Sequence, residues 1–392
     1  MKLSNRISRV APSATLAVNA KAQELKAAGR DVISLAVGEP DFRTPEHVCR
    51  AAKEAIDQGF TRYTAEAGIP ELRRAVAGYF NRWYKTSAGP EHTIVSNGGK
   101  QALYNLLQVL VDPGEKVLVP APYWVSYPDM ATLAGGESVI VPSEAENGYL
   151  VTVEALDRAW TAECRVLILN SPSNPTGAVY SPRAFDEIMD WAMSKPGLFV
   201  ISDEIYDQLV YSAEGHAGAS LWWQRFPERV AVVNGLAKSF AMTGWRVGYA
   251  LAHADLVKAM CKLQGQSTSN VCSIAQKAAL AALEGPWNLV EEMRQAFVRR
   301  RDLALERVRS WPGVVCPRAD GAFYLFPRVD AHYRNGVNGS SDLCAKILEE
   351  CGVALVPGAA FGEDRCIRLS YATADETLER ALEAMGRLFV EN

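Results

Sequence analysis

One lysine and one arginine stand where an unused charge would be expensive. Lys238 lies in the stretch NGLAKSFAMTGWRVGY, Asn234 to Tyr249, and Arg246 follows eight residues later. Both are surrounded by apolar and small residues, and Gly235, Gly244 and Gly248 leave room for close backbone approach. A β-branched run, Val230 to Val233, precedes them and has the pattern of a buried strand; a second apolar run, Arg246 to Leu251, follows. A free ammonium between two core strands is costly to bury, so the amine either escapes to solvent or is used chemically. Desolvation lowers an amine's pKa and makes it nucleophilic, and the usual outlet is a Schiff base to a carbonyl cofactor.

Other residues have types and positions that suit the same kind of site. Asn97-Gly98-Gly99-Lys100 follows a short strand and opens a helix, so its backbone N–H groups can cradle an anion; many glycine-bearing strand–helix turns do no more than turn. Arg246 offers a bidentate fork for a phosphate or, equally, a structural ion pair. Asp203 ends the apolar run Leu198 to Ser202, placing a carboxylate at the carboxyl end of a buried strand, where ligands bind in open α/β sheets; capping a helix is the competing role. Trp124, in PYW, is either a core residue or a platform for a planar ring. Arg368, in CIRLSYAT, alternates away from Ile367 and Leu369, and is either an exposed edge-strand charge or a fork for a carboxylate.

The elements that must hold these residues alternate. Strands are expected at 32–37, 93–96, 116–120, 138–141, 166–169, 198–202 and 230–233, with helices at 16–28, 101–110, 153–160 and 183–193, one more with Pro45 at its first position and another beginning at Pro70. Such alternation predicts an α/β fold, a mostly parallel sheet covered by helices on both faces. Past Trp287 the pattern changes to a long charged helix, 288–309, and short strands near 322–326, 353–356 and 366–370. That predicts a smaller α+β unit completed by the N-terminal segment. The expected division is 1–44 for the arm and part of the small domain, 45–286 for the large domain and 287–392 for the small one.

Composition closes off other classes. The 392 residues are 48% hydrophobic and 22% charged, the balance of a soluble globular protein. A net charge of −4 gives no electrostatic case for nucleic acid or an anionic membrane. MKLSNRISRV contains no long apolar stretch, so no signal peptide is expected, and no run approaches the ~20 apolar residues of a membrane span. Eight scattered cysteines predict reduced thiols in a cytoplasmic protein, and five dispersed histidines argue against zinc.

Taken in order, these residues resemble the class I aminotransferases of fold type I, which use pyridoxal 5'-phosphate, and most of all their bacterial aspartate and aspartate/prephenate branch. The resemblance runs from APSAT (Ala11 to Thr15) to SYAT (Ser370 to Thr373). It implies a seven-stranded sheet and a cofactor bonded to Lys238, stacked on Trp124, with Asp203 at the pyridine nitrogen and Tyr206 and Asn174 at the phenolic oxygen. Gly98, Gly99, Lys100 and Arg246 would hold the phosphate, with Tyr63 of the partner subunit. It casts Lys238, Asp203 and Tyr206 as the catalytic set. Arg368 would grip the substrate's α-carboxylate beside Gly38, Trp124 and Asn174, while Lys100 and Thr15 would meet a distal carboxylate. A homodimer follows, with Tyr63 and the segment Ser267 to Asn270 reaching the other site.

The implied reaction is ping-pong transfer of an amino group from aspartate or glutamate to a 2-oxo acid such as 2-oxoglutarate. Prephenate or broad aromatic use is the alternative; β-elimination, racemisation or a non-catalytic regulator lie further off, and the chain has no room for the basic DNA-binding module of such regulators. Three departures stand out. Gly235 occupies the place of a phosphate-binding serine; KLQGQSTSNVCS, from Lys262 to Ser273, lacks the side-chain-binding arginine of another branch; and Ala11 replaces the lysine that prephenate-using relatives tend to carry.

Overall fold

The computed structural model describes residues 1–391. Its strands are β1 (Ile33–Ser34), β2 (Thr93–Ser96), β3 (Lys116–Pro120), β4 (Glu137–Val141), β5 (Cys164–Asn170), β6 (Phe199–Asp203), β7 (Val230–Gly235), β8 (Gly248–Leu251), β9 (Tyr324–Leu325), β10 (Val353–Ala354), β11 (Val356–Pro357) and β12 (Ile367–Ser370). Seven form one sheet in the order β2-β8-β7-β6-β5-β3-β4. From β7 to β4 all neighbours are parallel, whereas β8 runs antiparallel between β7 and β2. The chain is an α/β protein with a mostly parallel seven-stranded sheet, as the alternation of strands and helices predicts.

The sheet is buried on both faces because its strands alternate two apolar sets. Val200, Val230 and Val232 point into a core roofed by the helices Glu46–Asp57, Pro70–Tyr84, Pro182–Ser194 and Ser273–Glu284. Ile201, Ala231 and Val233 point into the opposite core, under Gly99–Leu110, Ser126–Ala134 and Ala254–Ser267. Parallel strands need crossover helices, and two covered faces explain the near-continuous apolar runs of β5, β6 and β7.

A separate core gathers Leu35 with residues from Met293 to Phe389, packed around the 22-residue helix Asn288–Arg309. The N-terminal segment enters this core through β1, which pairs in parallel with β10. A second small sheet has the order β11-β12-β9 and is antiparallel. Four local expectations change. The run 32–37 yields only the two residues of β1, and 322–326 only those of β9. The run 353–356 splits into β10 and β11, in different sheets. Such short segments have the composition of strands but meet a partner over only two residues. Pro45 stands at the N-cap of its helix, not inside the first turn. Among the described residues no helix is long and apolar enough to cross a membrane, and no group of three metal-ligating side chains converges.

Candidate active site

Loops at the carboxyl ends of β5, β6 and β7 open into a cleft of about 600 Å³. Its remaining walls come from the helix start at Gly99, the N-terminal arm, Gly38, and β9 and β12 of the small sheet. Every residue expected at the site lines this cleft with one exception. Tyr63 is 90% exposed on a loop elsewhere on the chain.

Lys238 lies in the turn directly after β7, half-buried, and its Nζ donates to the Gly38 carbonyl at 2.6 Å. Burial pulls its pKa down to about 8; Arg368 and Arg246 push in the same direction, while Glu39 and Asp203 oppose them. The amine is thus closer to its nucleophilic form than a surface lysine. Asp203 is the last residue of β6, fully inside the protein; its Oδ2 accepts from the Tyr127 hydroxyl at 2.7 Å and its Oδ1 from the Ile205 N–H at 3.3 Å. Burial lifts this carboxyl to about 6 despite those donors. Asp203 therefore faces the cleft as an acid whose ionised form needs a cation beside it.

Tyr206, in the turn after β6, shares a 2.9 Å hydrogen bond with the Tyr324 hydroxyl, and burial raises both phenols, so each stays a neutral donor. Lys238 Nζ hangs 5.7 Å from the Tyr206 ring centre. Asn174 is held by its backbone N–H on Asn170 Oδ1, and its own Oδ1 accepts from Arg368 at 2.9 Å, which turns its Nδ2 donor elsewhere.

Arg368 decides between its two readings. It is 2% exposed, because β12 is the middle strand of its sheet rather than an edge. Its guanidinium is sandwiched between the Tyr324 and Phe361 rings, 4.5 and 5.0 Å from their centres. Its protein partners are Asn174 Oδ1 and the Ala36 carbonyl, and its buried Nε has none. Among the described residues no carboxylate pairs with it. A buried, unneutralised guanidinium is a built site for an anion.

At the other end, Gly98 has φ +83°, and a Cβ there would lie 2.5 Å from Arg246 Nη2. Gly248 is as constrained, since its Cβ would sit 2.3 Å from the Gly99 nitrogen. Arg246 is fixed by the Thr243 and Asn97 carbonyls at 2.9 and 3.2 Å and has no acidic partner among the described residues. At the start of the helix Gly99–Leu110 the Gln101 N–H donates to the Gly98 carbonyl at 3.1 Å, whereas among the described residues those of Gly99 and Lys100 have no acceptor. Lys100 Nζ stands 4.8 Å over the Trp124 ring, its pKa lowered by burial and by Arg246. Four cationic side chains, Lys100, Lys238, Arg246 and Arg368, thus line a cleft that holds only two carboxylates, Asp203 and Glu39.

These residues fit pyridoxal 5'-phosphate. The glycine cradle and Arg246 suit its phosphate, Asp203 a protonated ring nitrogen, Tyr206 and Asn174 its phenolic oxygen, and Lys238 its aldehyde. Arg368 and Lys100 remain for a substrate. The sequence alone did not single out Tyr127, Tyr324, Asn170 or Thr243. Tyr127 lies three residues past Trp124 in the same aromatic stretch, the one signal that pointed to it. Thr243 bonds to the Glu39 carboxylate, tying the N-terminal segment to the lysine loop.

The family model described as aminotransferase class I and II matches residues 30–385. The chain is 46% identical over 385 residues to the aspartate/prephenate aminotransferase of Cereibacter sphaeroides, covering 97% of this chain and 96% of that one. It is 44% identical over 388 residues to the aspartate aminotransferase of Geobacillus stearothermophilus, covering 99% and 98%. The solved structure of the Thermus thermophilus aspartate aminotransferase with maleate superposes with a TM-score of 0.94 at 44% identity, covering 99% and 100%.

Proposed function

Because the chain belongs to the class I and II aminotransferases, a pyridoxal-phosphate-dependent transaminase by that membership, we propose that it passes the amino group of aspartate or glutamate to a 2-oxo acid such as 2-oxoglutarate in a ping-pong cycle. The observation that carries the dicarboxylate reading is the pair of unneutralised cations in one cleft, Arg368 on β12 and Lys100 at the helix start. One suits the α-carboxylate common to all amino acids and the other a distal carboxylate, with Thr15 on the arm helix adding a hydroxyl. The Thermus relative was solved with maleate, which is a dicarboxylate as well.

Bound pyridoxal phosphate supplies an aldehyde for the amine and an electron-withdrawing ring that acidifies the substrate's Cα–H. The protein does the rest. Asp203, pushed up to about 6 by burial, would be drawn back to its ionised form by a positive ring nitrogen and so would keep that nitrogen protonated. Lys238 Nζ, with its pKa near 8, would take the Cα proton and deliver it to the cofactor's C4′ carbon on the far side of the transferred nitrogen. Tyr206 and Asn174 would donate to the phenolic oxygen, and Tyr324 orients Tyr206 through their shared hydrogen bond. Arg368, locked by Asn174, Ala36 and two rings, fixes the carboxylate so that the Cα–H faces Lys238.

We extend the reading to assembly and motion. A homodimer would give exposed Tyr63 a place at the partner's phosphate; light scattering of the holoenzyme should return twice the chain mass, and a fully active monomer refutes a shared site. Residues 1–44 and 287–392 are taken to close together over 45–286, expelling water. Eight free cysteines suit a cytoplasmic location.

A stopped-flow screen of half-reactions with aspartate, glutamate, phenylalanine, alanine and arogenate tests the substrate. Aspartate and glutamate should convert the cofactor fastest; equal rates for alanine and aspartate overturn the dicarboxylate reading. The second reading, use of prephenate, is favoured by the likeness to the Cereibacter aspartate/prephenate aminotransferase. Ala11, where prephenate users tend to carry lysine, weighs against it.

A further inference from the structure

Behind the cleft floor, on the other face of β6, lies a polar cluster that the reaction does not touch. The turn after β6 reads DEIYD, Asp203 to Asp207. Asp203 and Tyr206 face the cleft, whereas Glu204 and Asp207 point into the core beneath the helix Pro70–Tyr84. The Glu204 side chain is wholly buried. Its Oε1 accepts from Ser202 Oγ at 2.8 Å and the Ala219 N–H at 2.6 Å, and its Oε2 pairs with His216 Nε2 at 2.9 Å. The His216 side chain is 6% exposed, and its Nδ1 is buried without a partner. Asp207 accepts from the hydroxyls of Tyr79 and Tyr84. Space around the pair is closed, since a Cβ on Gly218 would lie 2.6 Å from both Glu204 Oε2 and His216 Nε2.

Two carboxylates in an apolar core, one chain position from Asp203 and one from Tyr206, need a reason and a counter-charge. Glu204 ties the turn to the loop 211–219 through two hydrogen bonds, with Ala219 and His216, and back to β6 through a third from Ser202, so it fixes the direction in which its neighbour Asp203 leaves the sheet. Its field also reaches Asp203 and favours protonation there. We propose that Glu204 is a positioning residue for Asp203, and that the imidazolium of His216 cancels the field of Glu204 at Asp203. The inference rests on the reading of Asp203 as the carboxylate that meets the ring nitrogen.

The charges facing His216 are Glu204 and Asp207 from the turn; Tyr79 and Tyr84, from the packed helix, are held neutral by burial and by Asp207. Burial disfavours the imidazolium, but Glu204 and then Asp207 outweigh it and raise the His216 pKa. The sign follows. The charged pair is complete below pH 6.5 and is lost as pH climbs through the raised value, leaving Glu204 uncompensated.

The test follows the pH midpoint of the bound cofactor's visible absorption, with cofactor affinity and melting temperature measured alongside. His216→Gln keeps a donor for Glu204 but cannot carry charge; it should raise the midpoint by about half to one pH unit and lower kcat more than it changes KM. Adding Glu204→Gln removes the uncompensated negative charge, so the double variant should return the midpoint towards the parent value. A purely structural role predicts no shift in the single variant, or a larger one in the double, and either result overturns the proposal. NMR titration of His216 in the apoprotein provides a check that needs no cofactor; a midpoint at or below 6.5 also overturns it. Asp203→Asn separates the two levels. If that variant shifts the absorption and His216→Gln does not, only the inference fails; if neither does, the reading of Asp203 fails with it.

Discussion

The floor and the rim of the cleft are built differently. The floor, with Lys238, Asp203 and Tyr206, sits at the ends of β6 and β7, strands whose every residue is buried between two helical layers. The rim is assembled from pieces far apart in the chain: the arm helix with Thr15, the helix start with Lys100, and β12 with Arg368. Floor groups are tuned chiefly by desolvation, which moves Lys238 and Asp203 in opposite directions, to about 8 and about 6. Rim groups act through unspent charge. On the proposed reading the large core fixes the chemistry and the rim sets substrate choice.

The comparison breaks most visibly at the floor. Lys238→Ala should abolish both turnover and the visible absorption of a lysine-bound cofactor, because no second amine lies within the cleft except Lys100, over Trp124. Residual transamination at even a hundredth of the parent rate would move the chemistry away from Lys238. Next comes the part of the rim carried by β12. Arg368→Lys keeps a charge but loses the planar fork and the stacking between Tyr324 and Phe361. A loss of about 2–4 kcal/mol is expected in kcat/KM for every amino acid alike. Selective loss for aspartate only would show that Arg368 reads side chains.

Floor and rim were also unequally legible in the sequence. Lys238 stood out because β7 is a β-branched run and glycines flank the lysine. Asp203 stood out because it ends another such run. Both signals are local. Arg368 stayed ambiguous because its burial depends on β12 lying between β11 and β9, a pairing that no spacing in CIRLSYAT reveals. Tyr324 carried no signal of role, and Tyr127 only its place near Trp124, since a buried tyrosine in an apolar stretch looks like core until its hydroxyl partner is known. Glu204 and His216 are twelve residues apart and meet only through the fold. The small strands were overextended for the same reason: strand length there is set by the partner.

The part of the rim at the helix start predicts a smaller and selective effect. Lys100→Ala should lower kcat/KM for aspartate by about 10- to 100-fold, the 1–3 kcal/mol of a charge-assisted contact, and change phenylalanine little. Removing the ammonium from above Trp124 also frees that ring, so a small gain for phenylalanine is consistent with the same picture. Equal losses for both substrates would reassign Lys100 to the phosphate and merge rim with floor.

The mildest expected effect concerns pH and probes desolvation at the floor directly. In the apoprotein the Lys238 amine has its pKa lowered to about 8, chiefly by burial. Trapping of pyridoxal on Lys238 by borohydride, quantified by mass spectrometry, should therefore rise roughly tenfold between pH 7 and 9 and then level off, whereas a lysine near the ordinary 10.4 keeps climbing. The stability of the apoprotein carries the same sign. Between about 8 and the ordinary value the unfolded chain holds a proton that the folded one has released, so this site contributes stability that increases with pH across that window. Lys238→Met removes the titrating group, and the difference in melting temperature between variant and parent apoproteins should favour the variant at pH 7 and shrink by pH 10. A trapping curve still rising at pH 10, together with a difference in melting temperature that ignores pH, would place the amine in solvent and remove the contrast between floor and rim.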